Sequence, residues 1–261
     1  MAALLLETHP RGVAHLVLNR PERHNAFDDA LISELTETLL EISADPSVCA
    51  VVLRGKGRSF SAGADLDWMR RVSGYSEADN RQDAAALALL MHTLDRMPKP
   101  TIALVQGAAY GGGVGLVACC DIAVASDDAK FSLSEVRLGL IPAVISPYVV
   151  AAIGPRQARR YFQSAEVITA ARAREIGLVH EVVPWGGLAE AGEAVLAKLL
   201  EAAPGAQAQA KDLVVLCTSR QIDDALLAET GHRIAAQRAS AEGREGVTAF
   251  LEKRLPAWRK K

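Results

Sequence analysis

Gln106-Gly107-Ala108-Ala109-Tyr110-Gly111-Gly112-Gly113-Val114-Gly115-Leu116 follows directly on a buried-strand pattern, Thr101–Val105, and leads into an apolar run that ends at Cys119. Two readings compete for it. One is a membrane span, because Ile102 to Cys120 holds a single strongly polar side chain, Gln106. The other is a strand, a turn and a short buried helix. Five glycines, at 107, 111, 112, 113 and 115, favour the second, since they break a lipid-facing helix. A helix that opens on glycines presents unpaired N–H groups at its positive end. Glycine also lets another backbone or a ligand come close.

Upstream lies a second loop of the same kind, Ser59-Phe60-Ser61-Ala62-Gly63-Ala64-Asp65-Leu66, after the strand pattern Val48–Leu53. Either loop alone is more often tight packing than a site. Together they can turn two amides onto one oxygen. Downstream comes Phe131-Ser132-Leu133-Ser134-Glu135-Val136-Arg137-Leu138-Gly139. Glu135 stands there among apolar neighbours; taken alone, it reads as an ordinary surface carboxylate at a strand end.

Outward from these loops the pattern alternates. Leu4–Thr8 and Val13–Leu18 flank His9-Pro10-Arg11-Gly12, a hairpin signal. Asn19–Phe27 is a polar loop. Asp28 or Asp29 caps a helix with Leu31, Ile32, Leu35, Leu39 and Ile42 on one face. A helix follows from Ala64. Ser76 with Asp79 forms a capping box for a helix to about Met97, ended by Pro98 and Pro100. Ile122–Ala125, Phe131–Leu133 and Leu178–Val183 read as strands. Helices are expected near Pro147–Ile153, Pro155–Phe162 and Ala170–Ile176, and the chain after Trp185 is helical almost throughout. Strands alternating with helices predict an α/β layer architecture, and the helical last quarter predicts an added packing or oligomerisation element.

Bulk properties narrow the chemistry. Half of the 261 residues are apolar, enough for one large core or two modest ones. The formal net charge is −2, with signs mixed, so no basic face for nucleic acid is expected. Five of the nine residues in Lys253–Lys261 are Lys or Arg, which on its own reads as a solvated tail. Cys49, Cys119, Cys120 and Cys217 contain no C-x-x-C pair and read as reduced, buried thiols of a cytoplasmic protein. No signal peptide is visible in Met1–Arg11. The six histidines form no H-x-x-x-H pair, so no metal site is expected. A G-x-x-x-x-G-K-[ST] loop, a G-x-S-x-G elbow and a G-x-G-x-x-G fingerprint are absent. Chemistry should rest on backbone donors and carboxylates.

The order S-A-G-A-D-L (61–66), Q-G-A-A-Y-G-G-G-V-G-L (106–116), C-D-I-A-V-A (120–125) and A-K-F-S-L-S-E-V-R-L-G-L-I-P (129–142) resembles the signature of the crotonase (enoyl-CoA hydratase/isomerase) family. So do Asn19–Ala26, Ala173–Val179 and Glu245–Arg254, which makes the resemblance nearly chain-long. It implies a crotonase-like spiral of ββα turns over residues 1–195. It also implies a helical trimerisation region over 196–261, in a homotrimer or a dimer of trimers. Ala64 and Gly112 would supply the two oxyanion N–H donors. Ala62, Asp65 and Leu66 would border the path of coenzyme A. Glu22, Arg23 and His24 would meet it from the other side, and Phe250 and Lys253 would reach a neighbouring subunit's CoA. Trp68 and Met69 would lie beneath the acyl pocket.

Glu135 matches one of the two catalytic glutamates of typical hydratases, and Gly115 stands where the other would be. One carboxylate suits an isomerase, which moves a proton from one carbon to another. Against that, the segments 64–69, 111–121 and 141–148 resemble bacterial hydratases of 3-methylglutaconyl-CoA and isohexenylglutaconyl-CoA. The resemblance thus implies hydration of a branched or carboxylated enoyl-CoA, as in leucine, terpene or fatty-acid catabolism. Arg70, Arg71 or Arg137 are candidates to pair a distal carboxylate, and the second proton donor is unassigned. Coenzyme A enters as part of the substrate, with no separate cofactor, nucleic acid or membrane partner. The alternatives are a Δ3-Δ2-enoyl-CoA isomerase and a non-catalytic CoA- or RNA-binding relative.

Overall fold

The computed structural model describes residues 2–259. In chain order the strands are β1 (Leu4–His9), β2 (Val13–Leu18), β3 (Ala50–Gly55), β4 (Thr101–Val105), β5 (Ala108–Tyr110), β6 (Ile122–Ser126), β7 (Lys130–Ser132), β8 (Ile168–Thr169) and β9 (Glu181–Val183). The helices are α1 (Asp29–Ala44), α2 (Leu66–Val72), α3 (Glu77–Asp95), α4 (Gly112–Cys119), α5 (Ser146–Ser164), α6 (Ala170–Glu175), α7 (Leu188–Leu199), α8 (Pro204–Thr218), α9 (Asp224–Ala239) and α10 (Ala241–Leu251).

The expected α/β architecture is present. One sheet runs β1-β2-β3-β4-β6-β9 and a smaller one runs β5-β7-β8. After the antiparallel β1–β2 hairpin, every pairing in the large sheet is parallel. A parallel sheet is covered on both faces, which is why β3 and β4 are near-continuous apolar runs. Val51, Leu53, Ala103 and Val105 join the main core with α1, α3 and α4. Val52, Ile102, Leu104 and Val124 point the other way, against Leu196 of α7.

The expected boundary at 195/196 falls inside α7, and Leu196 of that helix is buried on the sheet. In the single chain α8 buries no residue, α9 only Leu226 and α10 only Ala249. The basic end is partly tied down: Arg254 pairs with Glu245 and Glu252, and Arg259 with Glu201. Lys260 and Lys261 lie outside the described residues.

Local signals fared well where side chains act on their own helix. Asp28 caps α1 by accepting from Leu31 N–H, and Ser76 and Asp79 form the capping box of α3. The two helices expected on either side of residue 154 are both present within α5, separated at Gly154, whose φ of 73° and ψ of 159° are not helical. The last strand is shorter than Leu178–Val183, and β5 and β8 had no sequence signal. All four cysteines are free, but only Cys119 and Cys120 are buried; Cys217 is exposed, which corrects that expectation. Among the described residues no helix is long and apolar enough to cross a membrane. Ile102–Cys120 divides into β4, β5 and α4.

Candidate active site

The two glycine loops meet. Phe60 N–H donates to Gln106 O (2.8 Å), Ser61 N–H to Ala108 O (3.0 Å), and Tyr110 N–H to Ser61 O (2.9 Å). From the other side Phe27 N–H donates to Gly63 O and Asp65 N–H to Phe27 O, both at 2.8 Å. Ala62 N–H reaches His24 O at 2.9 Å. Asn25, fully buried, locks this third segment in place: its amide donates to Lys56 O and Ser59 O.

The lacing leaves few amides free. In the first loop the N–H groups of residues 60, 61, 62, 63 and 65 all have acceptors, whereas Ala64 N–H has none among the described residues. Tyr110 and Gly111 N–H are likewise used, and the chain then turns into α4, whose leading Gly112 and Gly113 N–H groups donate to nothing described. Close approach explains the glycines between them. A side-chain carbon on Gly63 (φ 87°) would stand 2.8 Å from Tyr110 O, and one on Gly113 would stand 2.6 Å from Ser61 O. Sequence reasoning singled out Ala64 and Gly112, and both are unpaired donors on loops in contact.

Glu135 opens a single 3-10 turn, Glu135–Leu138, just after β7. Gly111 N–H donates to Ser132 O (2.9 Å), so the second loop is tied to the strand that delivers Glu135. Glu135 Oε1 lies 3.3 Å from where a side chain on Gly111 would begin. Its Oε2 is buried and has no hydrogen-bond partner among the described residues. Burial pushes the carboxyl above the usual glutamate range, opposed by a hydrogen bond from its own backbone. A carboxylate oxygen buried without a partner is costly for a merely structural residue and marks a functional candidate.

Gly115 lies one helical turn beyond Gly111. A side chain there would meet Ile145 Cγ2 at 2.3 Å and Met91 Cε at 3.1 Å. The position therefore lacks a carboxylate and also lacks space for one.

The remaining expected residues are spread over several surroundings. Ala62 and Leu66 border the first loop, Leu66 exposed, and Glu22 and His24 are exposed on the facing turn, where His24 Nδ1 lies 3.0 Å from Ser59 Oγ. Asp65 faces inward, with a side chain 4% exposed. It caps α2 and pairs with Arg20 (3.0 Å) and Arg23 (2.8 Å). Trp68 is core, its indole N–H donating to Asp83 (3.1 Å), while Met69 is half-buried. Phe250 (82% exposed) and Lys253 lie at the end of α10, outside this constellation. The three candidate arginines are engaged: Arg70 with Asp67, Arg71 with Asp29, and Arg137 with Ala165 O.

Burial raises the Asp65 carboxyl, but Arg23 and the Asp67 and Trp68 amides outweigh it and hold it below the usual range. A depressed folded value stabilises the fold above the ordinary aspartate range, and the contribution is lost as pH falls through the folded value. Asp65→Ala removes the cap of α2 and one of the two carboxylates on Arg20, which keeps Asp28 at 2.9 Å, and should cost about 0.5–2 kcal/mol through the lost cap alone. Thermal melts should show the loss at neutral pH and a narrowing gap to wild type in acid. An unchanged melting temperature would reject this role.

A cleft of about 580 Å³ lies beside the first loop, lined by His24, Arg58, Ser59, Tyr110, Lys130 and Trp185 among others. Arg58 and Trp185 carried no motif, Lys130 was not singled out within its own, and only folding brings the three together. Among the described residues there is no cluster of three or more His, Cys, Asp or Glu placed to hold a metal. Burial pushes the Cys119 thiol up strongly and Cys120 to about 12, so neither is a nucleophile at neutral pH.

Comparison with known proteins gives matches over nearly the whole chain. The model of the enoyl-CoA hydratase/isomerase family matches residues 8–261. The crystal structure of an enoyl-CoA hydratase from Shewanella pealeana is 45% identical, with a TM-score of 0.96 over 98% of this chain and 96% of that one. The enoyl-CoA hydratase ACTT6 of Alternaria alternata is 38% identical over 92% of this chain and 78% of its own. The hydroxycinnamoyl-CoA hydratase-lyase of Pseudomonas fluorescens is 33% identical over 92% of this chain and 89% of its own.

Proposed function

Because this chain belongs to the enoyl-CoA hydratase/isomerase family, we propose that it hydrates a 2-enoyl-CoA with Glu135 as the only carboxylate at the reacting carbons. The observation that supports this most is the placement of Glu135, its Oε2 buried and without a partner among the described residues, beside the Gly111 loop, with free amides at Ala64, Gly112 and Gly113. In this reading the thioester oxygen lies between those amides. Ionised Glu135 takes a proton from water as the water oxygen bonds to C3. The C2–C3 π electrons move into the thioester, and the resulting enolate oxygen is held by both N–H groups, which strengthen as charge develops. The enolate then takes the proton from Glu135 at C2. One water is consumed and the carboxylate is restored.

Coenzyme A is carried by the substrate, and no other cofactor is called for. The cleft beside the first loop has Arg58 and Lys130 in its walls, which suits the phosphates of CoA. Ala62, Leu66, Glu22 and His24 border the way from there to the amides, and Asp65 contributes through its backbone and its hold on the loop. The finer reading is a branched or carboxylated acyl group such as 3-methylglutaconyl. Sealed Gly115 favours a compact acyl group, and a free carboxylate on the substrate would have to displace Arg70 or Arg71 from its aspartate. Exposed Val247, Phe250 and Leu251 on α10 support assembly with a second copy, which would bring Phe250 and Lys253 to a neighbour's CoA.

The lone carboxylate also favours a second reading, Δ3-Δ2-enoyl-CoA isomerisation. One set of assays separates the two. Crotonyl-CoA and 3-methylglutaconyl-CoA should lose the ultraviolet absorbance of the conjugated thioester as water adds. A 3-enoyl-CoA should give no conjugated product. Appearance of that product without hydration would reject the hydratase.

A further inference from the structure

Residues 111, 115 and 119 are spaced four apart and lie along one side of α4. Each faces something different. Gly111 faces Glu135. Gly115 faces Ile145 and Met91. Cys119 Sγ lies 3.8 Å from Met91 Sδ. This stripe leads from the carboxylate, past two packed apolar side chains, to Cys119, which is also a wall of a separate cleft of about 510 Å³. That cleft opens between the end of α4 and α8, and Ala118, Ile122, Val214 and Val215 make much of it apolar. Its Lys211 is already paired with Asp121 at 3.0 Å.

We propose that Ile145 and Met91 form a plug that limits the length of acyl chain the site accepts, and that the cleft behind Cys119 receives the distal alkyl carbons of a longer chain once the plug is cut back. The inference rests on the proposed thioester site. Three observations carry it. Gly111, which faces Glu135, and Gly115, which faces Ile145 and Met91, are one turn apart on the same side of α4, and Met91 touches Cys119 in the cleft wall. Both plug residues are buried, Met91 fully and Ile145 to 3% exposure. Met91 touches Cys119, which forms the cleft wall, and methionine's unbranched thioether repacks readily. The occupant is an unbranched alkyl tail, because the plug offers no donor to a polar one and the cation in the cleft is paired.

Ile145→Ala, Met91→Ala and the double variant test this against crotonyl-CoA and 2-decenoyl-CoA. The decenoyl-to-crotonyl ratio of kcat/KM should rise by about tenfold or more in the single variants, since each methylene admitted to an apolar pocket is worth at least about that factor. The double variant should exceed both. Ile145→Val, which removes one methyl group, keeps the fold under least stress and should shift the ratio in the same direction by less. Competitive inhibition by decanoyl-CoA relative to butyryl-CoA reads the same selectivity without turnover. An unchanged ratio in both measurements would overturn the plug, as would a wild-type protein that already favours decenoyl-CoA. Failure of wild type to turn over any enoyl-CoA would refute the hydratase reading instead, and the inhibition ratios would still judge the plug.

Discussion

Glu135→Gln lowers kcat by about 10²–10⁴-fold, the range general acid–base groups supply, while substrate affinity stays close to that of wild type. The amide keeps the size of the carboxyl group and removes its ability to take a proton from water. Near wild-type turnover in the Glu135→Gln variant would remove Glu135 from the reaction and revive the non-catalytic reading. The pH profile is a second check. Burial raises this carboxyl, and the base must be ionised. The acidic limb of kcat/KM should therefore fall above the ordinary glutamate value of about 4.3.

The same residue has a stability signature of opposite sign. A carboxyl whose folded pKa is raised binds its proton more tightly when folded, so stability falls as pH rises from the ordinary value through the raised one. Above that window the burden is fully present, because Oε2 is then a buried charge without a partner. Glu135→Gln should melt higher than wild type at neutral pH, and the advantage should shrink on acidification. Wild type melting at or above the variant throughout would contradict the burial argument.

Gly113→Ala should cost about 10²–10³-fold in kcat, the loss seen when one oxyanion donor is misplaced. The new carbon would stand 2.6 Å from Ser61 O and 3.1 Å from Ser61 Cβ. Ser61 cannot yield easily, because its backbone is bonded at both ends to the β5 segment. The loops must part, and Ala64 N–H moves relative to Gly112 N–H. Overpacking adds about 1–3 kcal/mol of instability, so melts must accompany the kinetics. Gly186→Ala is the control, since nothing lies within 4 Å of its added carbon. Full turnover in a destabilised Gly113→Ala protein would show that the spacing of the loops is not what the reaction needs.

Much of this was legible in the sequence, for local reasons. The caps at Asp28 and Ser76 act within one turn of their own helices, so their spacing is visible in the chain. The two glycine loops and Glu135 were visible through order and family resemblance. Other features depend on partners far along the chain. Strands β5 and β8 are three and two residues long, too short for periodicity, and exist because neighbouring segments pair with them. Asp65 looks like a binding residue until Arg20 and Arg23 fold against it. Gly115 advertises a missing side chain, but only the fold shows Ile145, from the turn before α5, occupying the gap.

The bond from Gly111 N–H to Ser132 O has a consequence for descent. It couples the amide loop to the carboxylate through the main chain, which point mutation edits poorly. Ile145 and Met91 differ, because they act through side chains alone, and a single codon can alter either. Reaction and diet are thus inherited through different parts of the polypeptide. A lineage carrying this fold can drift toward new acyl groups while the reacting geometry is held still. A library randomised at 91, 115 and 145 should accordingly yield more changes of substrate than losses of chemistry.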